Sequence, residues 1–176
     1  MPGKDFDILV SGGGIAGLTA AAAFGQAGFS VLVVDPTPPV TDRDAEGADL
    51  RSTAFLQPAR DFLEQIGLWS RLAPQAMPLQ TMRIVDAGGP EPEARVSHDF
   101  QSDDISDRPF GWNLPNWLLR REMVAHLDDL PNVAFRPGTA TTALLTREAG
   151  ARAEPEAAAA SVPDEPKPRT SPFAPP

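Results

Sequence analysis

The feature that most constrains the fold is a glycine-rich turn near the start of the chain. Residues 5–11 (DFDILVS) predict a short strand, and a G-x-G-x-x-G pattern follows at once, made by Gly12, Gly13, Gly14, Ile15, Ala16 and Gly17. An alanine-rich helix is predicted to about Ala27, and residues 29–35 predict a second strand that ends in Asp35. This order of strand, turn, helix, strand and acid is typical of a βαβ unit that binds a dinucleotide.

Each residue type in this pattern has a physical role. Gly12 permits a sharp turn, Gly14 lets the backbone approach a pyrophosphate, and Gly17 lets the helix pack on the sheet. The helix N-terminus presents free N–H groups and partial positive charge to phosphates. Asp35 suits the two hydroxyls of an adenosine ribose and would repel a 2′-phosphate, which disfavours NADP here. The alternative is a glycine-rich turn in an α/β protein that binds no nucleotide.

Composition excludes several other classes of function. The chain has 176 residues, a formal net charge of −9 and no cysteine. Disulfides, thiolate metal sites and cysteine nucleophiles are therefore excluded, and the acidic balance predicts no nucleic-acid partner. The two histidines, His98 and His126, lie far apart without metal-ligand spacing, so no metal site is predicted. The first residues lack the pattern of a signal peptide, which predicts a cytoplasmic location.

Beyond Asp35 the pattern predicts further short elements. The expected elements are a helix from Pro58 to Gly67, one more helical turn at 68–72, a hairpin of strands at 81–87 and 94–100, a helix at 117–130 capped by Asn116, a strand at 131–136 and another starting at 139–146. From Glu148 to Pro176 there are seven prolines and eight alanines, and no helical or strand period remains. We therefore expect one domain at residues 1–147 and a disordered tail at 148–176.

Several stretches, in the right order, resemble the N-terminal part of class A flavoprotein monooxygenases, above all the ubiquinone-biosynthesis hydroxylases. Besides the glycine-rich turn they are residues 49–54 (DLRSTA), 62–69 (FLEQIGLW), 82–88 (MRIVDAG) and 111–116 (GWNLPN) leading to Arg120. The resemblance covers about residues 5–147. It implies an α/β fold: a Rossmann-like FAD-binding sheet of the glutathione-reductase type with part of a β-rich substrate layer.

The resemblance also implies roles for particular residues. The glycine-rich turn binds the ADP half of FAD, and Asp35 stands where the family usually has a longer Glu that holds the ribose. Arg51, in the D-x-R stretch, approaches the diphosphate and the flavin region, and Arg120 lies near the phosphates. The alternatives are that Arg51 is solvated and that Arg120 pairs with Glu122 or Asp128 on its own helix. No catalytic residue is assigned.

At the level of function, the resemblance implies FAD-dependent aromatic hydroxylation in ubiquinone biosynthesis. NAD(P)H would be the co-substrate and an aromatic or quinone-precursor molecule the substrate, and peripheral membrane or hydroxylase-complex association stays open. The family's later D-G and G-D motifs do not follow residue 147, so we expect an inactive N-terminal fragment, whose tail resembles an out-of-frame product or an artificial truncation. The alternatives are a non-catalytic ADP/FAD-binding module or, less favoured by the D-x-R stretch, half of an NAD-dependent dehydrogenase.

Overall fold

The computed structural model describes residues 5–89 and 93–144. The helices are α1 (Ile15–Gln26), α2 (Gln57–Gln65), α3 (Trp69–Leu72) and α4 (Asn116–Asp128). The strands are β1 (Ile8–Ser11), β2 (Val31–Asp35), β3 (Ser52–Leu56), β4 (Met77–Leu79), β5 (Thr81–Asp86), β6 (Val96–Gln101), β7 (Gly111–Pro115) and β8 (Val133–Pro137). The chain divides after Thr142; the predicted boundary at 147 and the predicted disordered tail at 148–176 lie outside the described residues.

A parallel sheet in the order β1-β2-β8 forms the first layer. Strand β1 pairs with β2 from Ile8 opposite Val31, and β2 pairs with β8 from Val31 opposite Val133. Helix α1 connects β1 to β2 as a parallel crossover, and α4 packs against both α1 and β8. The predicted βαβ unit and Rossmann-type core are therefore confirmed, with the first strand beginning at Ile8 and the second at Val31.

One hydrophobic core joins this sheet to the helices that follow it. Val31 and Val33 of β2 are fully buried, as are Leu18 of α1 and Leu119 of α4. The remaining members of the core cluster come mainly from α2, α3, α4 and the segment between α2 and α3. Because these side chains come from distant parts of the sequence, the core fixes the glycine-rich turn, the start of α4 and the end of β2 relative to one another.

Two further antiparallel groups of strands complete the described structure. Strands β3, β7 and β4 form a sheet with β7 in the middle, and β5 pairs with β6 from Thr81 opposite Gln101. The β5–β6 pairing confirms the two antiparallel strands predicted at 81–87 and 94–100. All its strand residues are exposed, and the Arg83 guanidinium donates to both carboxylate oxygens of Asp99 at 2.7 Å across it.

Three sequence-based expectations are wrong in detail. No strand was predicted at β3, β4 or β7, which pair with one another into one sheet. Strand β7 begins at Gly111 and ends at Pro115, two residue types that lower its local preference for extended structure. Residues 139–144 belong to no strand, because Gly138 (φ +78°) turns the backbone and the Thr139 N–H then donates to the Asp35 carbonyl. Asn116 does not cap α4: the helix begins at Asn116 with Pro115 before it, and the Asn116 amide is bound elsewhere.

Candidate functional site

The turn after β1 is shaped by close backbone approach. Gly12 has φ +118°, and its N–H donates to the Val34 carbonyl at 2.8 Å, which holds the turn against β2. A Cβ on Gly17 would lie 1.9 Å from the Gly12 carbonyl oxygen. Any side chain at Gly17 would therefore push α1 away from the turn, which agrees with the packing role predicted for this glycine.

Gly14 is surrounded by open space instead. Its backbone is extended (φ −73°, ψ 176°), and a Cβ there would have no neighbour within 4 Å. Gly14 is the residue before α1, and no side chain caps that helix N-terminus. The first-turn N–H groups of α1 lack intrahelical acceptors, so the open space beside Gly14 faces donors and the positive end of a helix dipole. The arrangement suits an anion.

Asp35 lies at the end of β2, next to the glycine-rich turn. The Gly13 N–H donates to Asp35 Oδ2 at 2.6 Å, and the Thr37 N–H donates to Asp35 Oδ1 at 2.8 Å. A Cβ on Gly13 would lie 3.0 Å from both Asp35 Cβ and the Phe135 ring, so this close approach needs glycine. A carboxylate has about four acceptor positions. The two backbone contacts therefore fix its orientation and leave acceptor positions for hydroxyl groups.

Four of the predicted binding residues line one cleft of about 250 Å³. The full lining is Gly13, Gly14, Asp35, Thr37, Pro38, Pro39, Val40, Gly47 and Arg120. We call this space the glycine cleft. Gly12 and Gly17 support its turn from behind. Ile15 and Ala16 line a different cavity.

Both predicted arginines contact the same carboxylate, that of Asp49. Arg51 Nε donates to Asp49 Oδ1 and Arg51 Nη2 to Asp49 Oδ2, each at 2.9 Å, while Arg120 Nη2 lies 3.6 Å from Asp49 Oδ2. The hydrogen bonds from Arg51, and next those from Asn116, hold the pKa of the Asp49 carboxyl well below its ordinary value of 3.8. Asp49 is therefore ionised at neutral pH.

The pairing of Arg120 differs from the alternatives considered from the sequence, whereas Arg51, whose side chain is 84% exposed, is largely solvated as its alternative had it. Arg120 pairs with neither Glu122 nor Asp128; Glu122 accepts from the neighbouring Arg121 at 2.9 Å. Arg120 lines the glycine cleft, whereas Arg51 does not line it and reaches it only through Asp49. The structure thus brings Gly13, Gly14, Asp35 and Arg120 together directly and Arg51 indirectly.

Asp49 and Asn116 are the site residues that sequence reasoning missed. Asn116 Nδ2 donates to Asp49 Oδ2 at 3.0 Å, and Thr53 Oγ1 donates to Asn116 Oδ1 at 2.7 Å. This explains why Asn116 does not cap its helix: its amide contacts an ionised carboxylate and a hydroxyl. The sequence signal for Asp49 is the D-x-R stretch itself, whose first residue is an acid two positions before Arg51.

A second cavity, which we call the apolar groove, runs along the other side of α1. Its volume is about 930 Å³, and its lining is Ile15, Ala16, Thr19, Ala20, Ala23, Phe24, Ala27, Phe29, Thr53, Phe55 and Phe62. Phe24 and Phe29 contact each other edge to face at 6.2 Å between ring centroids, yet both stay exposed.

Within residues 5–89 and 93–144, no helix is long and apolar enough to cross a membrane.

His126 is the buried titratable residue of α4, away from the glycine cleft. Among the described side chains, its Nε2 is a buried atom without a hydrogen-bond partner. Burial, and secondarily the nearby Arg71, lower the pKa of His126 below its ordinary value of 6.5. The fold therefore favours the neutral form of His126, which agrees with a packing role.

The sequence matches the family model described as FAD binding domain over residues 5–162. Ubiquinone hydroxylase UbiL of Rhodospirillum rubrum is 33% identical over 141 residues, covering 80% of this chain and 31% of that protein. The 3-(3-hydroxy-phenyl)propionate/3-hydroxycinnamic acid hydroxylase of Mycobacterium avium is 32% identical over 142 residues, covering 78% of this chain and 22% of that protein.

Among solved structures, p-nitrophenol 4-monooxygenase PnpA from Pseudomonas putida superposes with a TM-score of 0.57 and 22% identity. The superposition covers 74% of this chain and 30% of that chain, and it shows a shared fold. This chain therefore spans less than one third of the length of each of these relatives.

Proposed function

Because the chain belongs to the FAD binding domain family, we propose that its glycine cleft binds the ADP half of FAD. The observation that carries the proposal is the open space beside Gly14, at the uncapped N-terminus of α1, in a cleft that Asp35 and Arg120 also line. A diphosphate needs donors and positive charge, and a ribose needs an oriented acceptor. The described residues supply all three in one place.

The chain's own groups divide the work of binding. The N–H groups at the start of α1 receive the diphosphate, and Arg120 adds a planar guanidinium that suits phosphate oxygens. Asp35 accepts from the ribose hydroxyls, with its orientation fixed by the Gly13 and Thr37 N–H groups. Arg51, whose side chain is 84% exposed, is available to the outer phosphate or the flavin end. Bound FAD supplies the redox chemistry, and the protein supplies binding and orientation.

For the intact protein we propose FAD-dependent hydroxylation of an aromatic ring, with a quinone precursor of ubiquinone biosynthesis as substrate and NAD(P)H as co-substrate. Both relatives are hydroxylases, which supports hydroxylation, and the Rhodospirillum rubrum relative is a ubiquinone hydroxylase, which supports the ubiquinone assignment. The Mycobacterium avium relative instead acts on 3-(3-hydroxy-phenyl)propionate and 3-hydroxycinnamic acid. The two relatives thus give two candidate substrate classes, quinone precursors and hydroxylated phenyl acids. A quinone precursor is apolar, so the proposal includes a cytoplasmic protein that associates with a membrane surface or a hydroxylase complex.

For the 176 residues alone we propose ADP-type binding without hydroxylase turnover. The β5–β6 hairpin, which would form part of the substrate layer, has every strand residue exposed. A hydroxylase active site must exclude water, because water would divert the reactive oxygen species into side reactions. Within the described residues the diphosphate cradle has its donors and charges in place, whereas the substrate layer is open to solvent.

Calorimetric titration of the purified chain with ADP, FAD, NADH and NADPH tests the proposal. We expect ADP and FAD to bind and NADPH to bind weakly, because its 2′-phosphate faces the Asp35 carboxylate. Asp35→Asn should weaken ADP binding, since charge-assisted hydrogen bonds are worth roughly 1.5–3 kcal/mol each. Arg121→Gln is the matched control, because Arg121 pairs with Glu122 outside the glycine cleft. Absence of ADP binding by the folded wild-type chain would contradict the proposal.

A further inference from the structure

Asp49 is a carboxylate shared by the two arginines of the candidate site. It makes a two-point contact with Arg51 and lies 3.6 Å from Arg120, although its own side chain is only 12% exposed. Of these three side chains, Arg51 is the most exposed at 84%, and Arg120 is 27% exposed. The Asp49 carboxylate is therefore largely shielded from solvent. Arg51 lies on its solvent side, and Arg120 lies on the side of the glycine cleft.

Asp49 is itself fixed by backbone and side-chain contacts at the start of α4. Its carbonyl accepts from the Trp117 N–H at 3.3 Å, and the neighbouring Arg51 carbonyl accepts from the Asn116 N–H at 2.8 Å. The Asn116 amide donates to Asp49 Oδ2 and accepts from Thr53. The loop before β3 is therefore tied to the same helix that carries Arg120, so the two arginines keep a defined separation.

The contacts of Asp49 favour a role in positioning the two arginines over a role in neutralising their charge. One carboxylate between two guanidinium groups leaves a single net positive charge, and hydrogen bonds from Arg51 and Asn116 keep the carboxyl ionised at neutral pH. If Asp49 served only to offset charge, neither the two-point contact with Arg51 nor the hydrogen bond from the Asn116 side-chain amide would be needed. A planar guanidinium held at two points presents its remaining N–H donors in a fixed direction.

We propose that Asp49 is a positioning residue that orients Arg51 and Arg120 toward the diphosphate of the bound nucleotide. This inference rests on the proposed function, since it assigns a second group to the same binding site. Asp49 itself does not contact the ligand; it acts through the arginines. Removing its charge while keeping its shape should therefore weaken recognition of phosphates and leave recognition of adenosine unchanged.

The test compares ADP with adenosine in Asp49→Asn, using calorimetry for ADP and ligand-observed NMR for adenosine. We expect ADP affinity to fall about tenfold, which corresponds to about 1.4 kcal/mol, with adenosine affinity unchanged. Asp99→Asn is the matched control, because Asp99 makes the same two-point contact with Arg83 on the exposed hairpin. That variant should bind both ligands as the wild-type chain does.

A double-variant cycle with Arg51→Gln adds a readout that a structural role would not move. We expect Arg51→Gln to weaken ADP binding in the wild-type background and to have little further effect when Asp49→Asn is present. Unchanged or tighter ADP binding in Asp49→Asn would overturn the inference, and so would an equal loss of adenosine affinity. Failure of the wild-type chain to bind ADP would instead defeat the proposed function and this inference together.

Discussion

The parallel sheet and the β5–β6 hairpin use similar apolar side chains in opposite ways. Val31 and Val33 of β2 are fully buried in the hydrophobic core, whereas Ile84 and Val96 of the hairpin are each more than half exposed. The sheet around the glycine cleft is held by a core drawn from distant segments, and the hairpin by cross-strand backbone bonds and surface side chains. The elements that carry the glycine cleft therefore rest on buried packing to which the hairpin strands contribute no core residue.

The largest expected effect contrasts one methionine in each region. Met123 of α4 is 1% exposed, and Met82 of the hairpin is 50% exposed. Met123→Ala leaves a cavity in the core and should lower the free energy of unfolding by about 2–5 kcal/mol. Met82→Ala should cost much less, because its side chain already contacts water. Urea unfolding of the two variants measures the difference, and equal losses would contradict the contrast.

Substitutions at two glycines of the glycine-rich turn should affect different properties: one the free energy of unfolding, the other the affinity for ADP. Gly17→Ala places a Cβ against the Gly12 carbonyl and should lower the free energy of unfolding by roughly 1–3 kcal/mol. Gly14→Ala has an extended backbone and open space, so it should fold as the wild-type chain does and lose affinity for ADP. Thermal unfolding and ADP titration of both variants test this pair. A destabilised Gly14→Ala variant would show that the space beside Gly14 is not free.

Acidification should destabilise the core through His126. Its folded-state pKa lies below the ordinary 6.5, so its contribution to stability is complete above pH 6.5 and is lost as the pH falls through the folded-state pKa. The urea midpoint should therefore decrease from pH 7.5 toward pH 5. His126→Gln should flatten this dependence, and His98→Gln on the exposed hairpin is the control. The same slope in His126→Gln would assign the effect to other groups.

The smallest expected effect concerns the hairpin ion pair. Hydrogen bonds from Arg83 lower the pKa of Asp99 below its ordinary value of 3.8. Arg83→Gln should raise this pKa toward the ordinary value and leave the urea midpoint nearly unchanged, since exposed ion pairs contribute little to stability. An NMR titration of the Asp99 carboxyl together with urea unfolding gives both values. A clear loss of stability would show that the hairpin depends on this pair.

Local sequence patterns predicted the elements that local interactions determine. The strand–turn–helix–strand unit around Gly12, the hairpin around Gly88 and the helix that contains Pro58 all follow from glycine, proline and periodicity. Strand β7 was missed because Gly111 and Pro115 disfavour it locally. Its place between β3 and β4 depends on long-range pairing, and a Cβ on Gly111 would lie 2.5 Å from the Phe55 carbonyl oxygen.

In the candidate site too, local motifs could be predicted from the sequence and contacts between distant segments could not. Three residues of the glycine cleft, Gly13, Gly14 and Asp35, could be predicted because motif spacing fixes their geometry within one βαβ unit. Arg120 lies outside that unit and was expected only from the family resemblance. The pairing of Asp49 with Arg51 and Arg120 could not be predicted, because the loop before β3 meets the start of α4 only after the core has formed. Asn116 was read as a helix cap for the same reason: its actual partners, Asp49 and Thr53, are remote in sequence.

The most direct test of the account is the ratio of FAD to ADP affinity, measured by calorimetry on the same preparation of this chain. The glycine cleft, which we propose binds the ADP half, is built on elements that share the buried core, whereas the β5–β6 hairpin is exposed. We therefore predict that the two ligands bind with similar affinity, within about tenfold or 1.4 kcal/mol, and that no NAD(P)H-dependent hydroxylation of an aromatic quinone precursor accompanies binding. FAD binding far tighter than ADP binding, or steady hydroxylation by the 176 residues, would contradict the account.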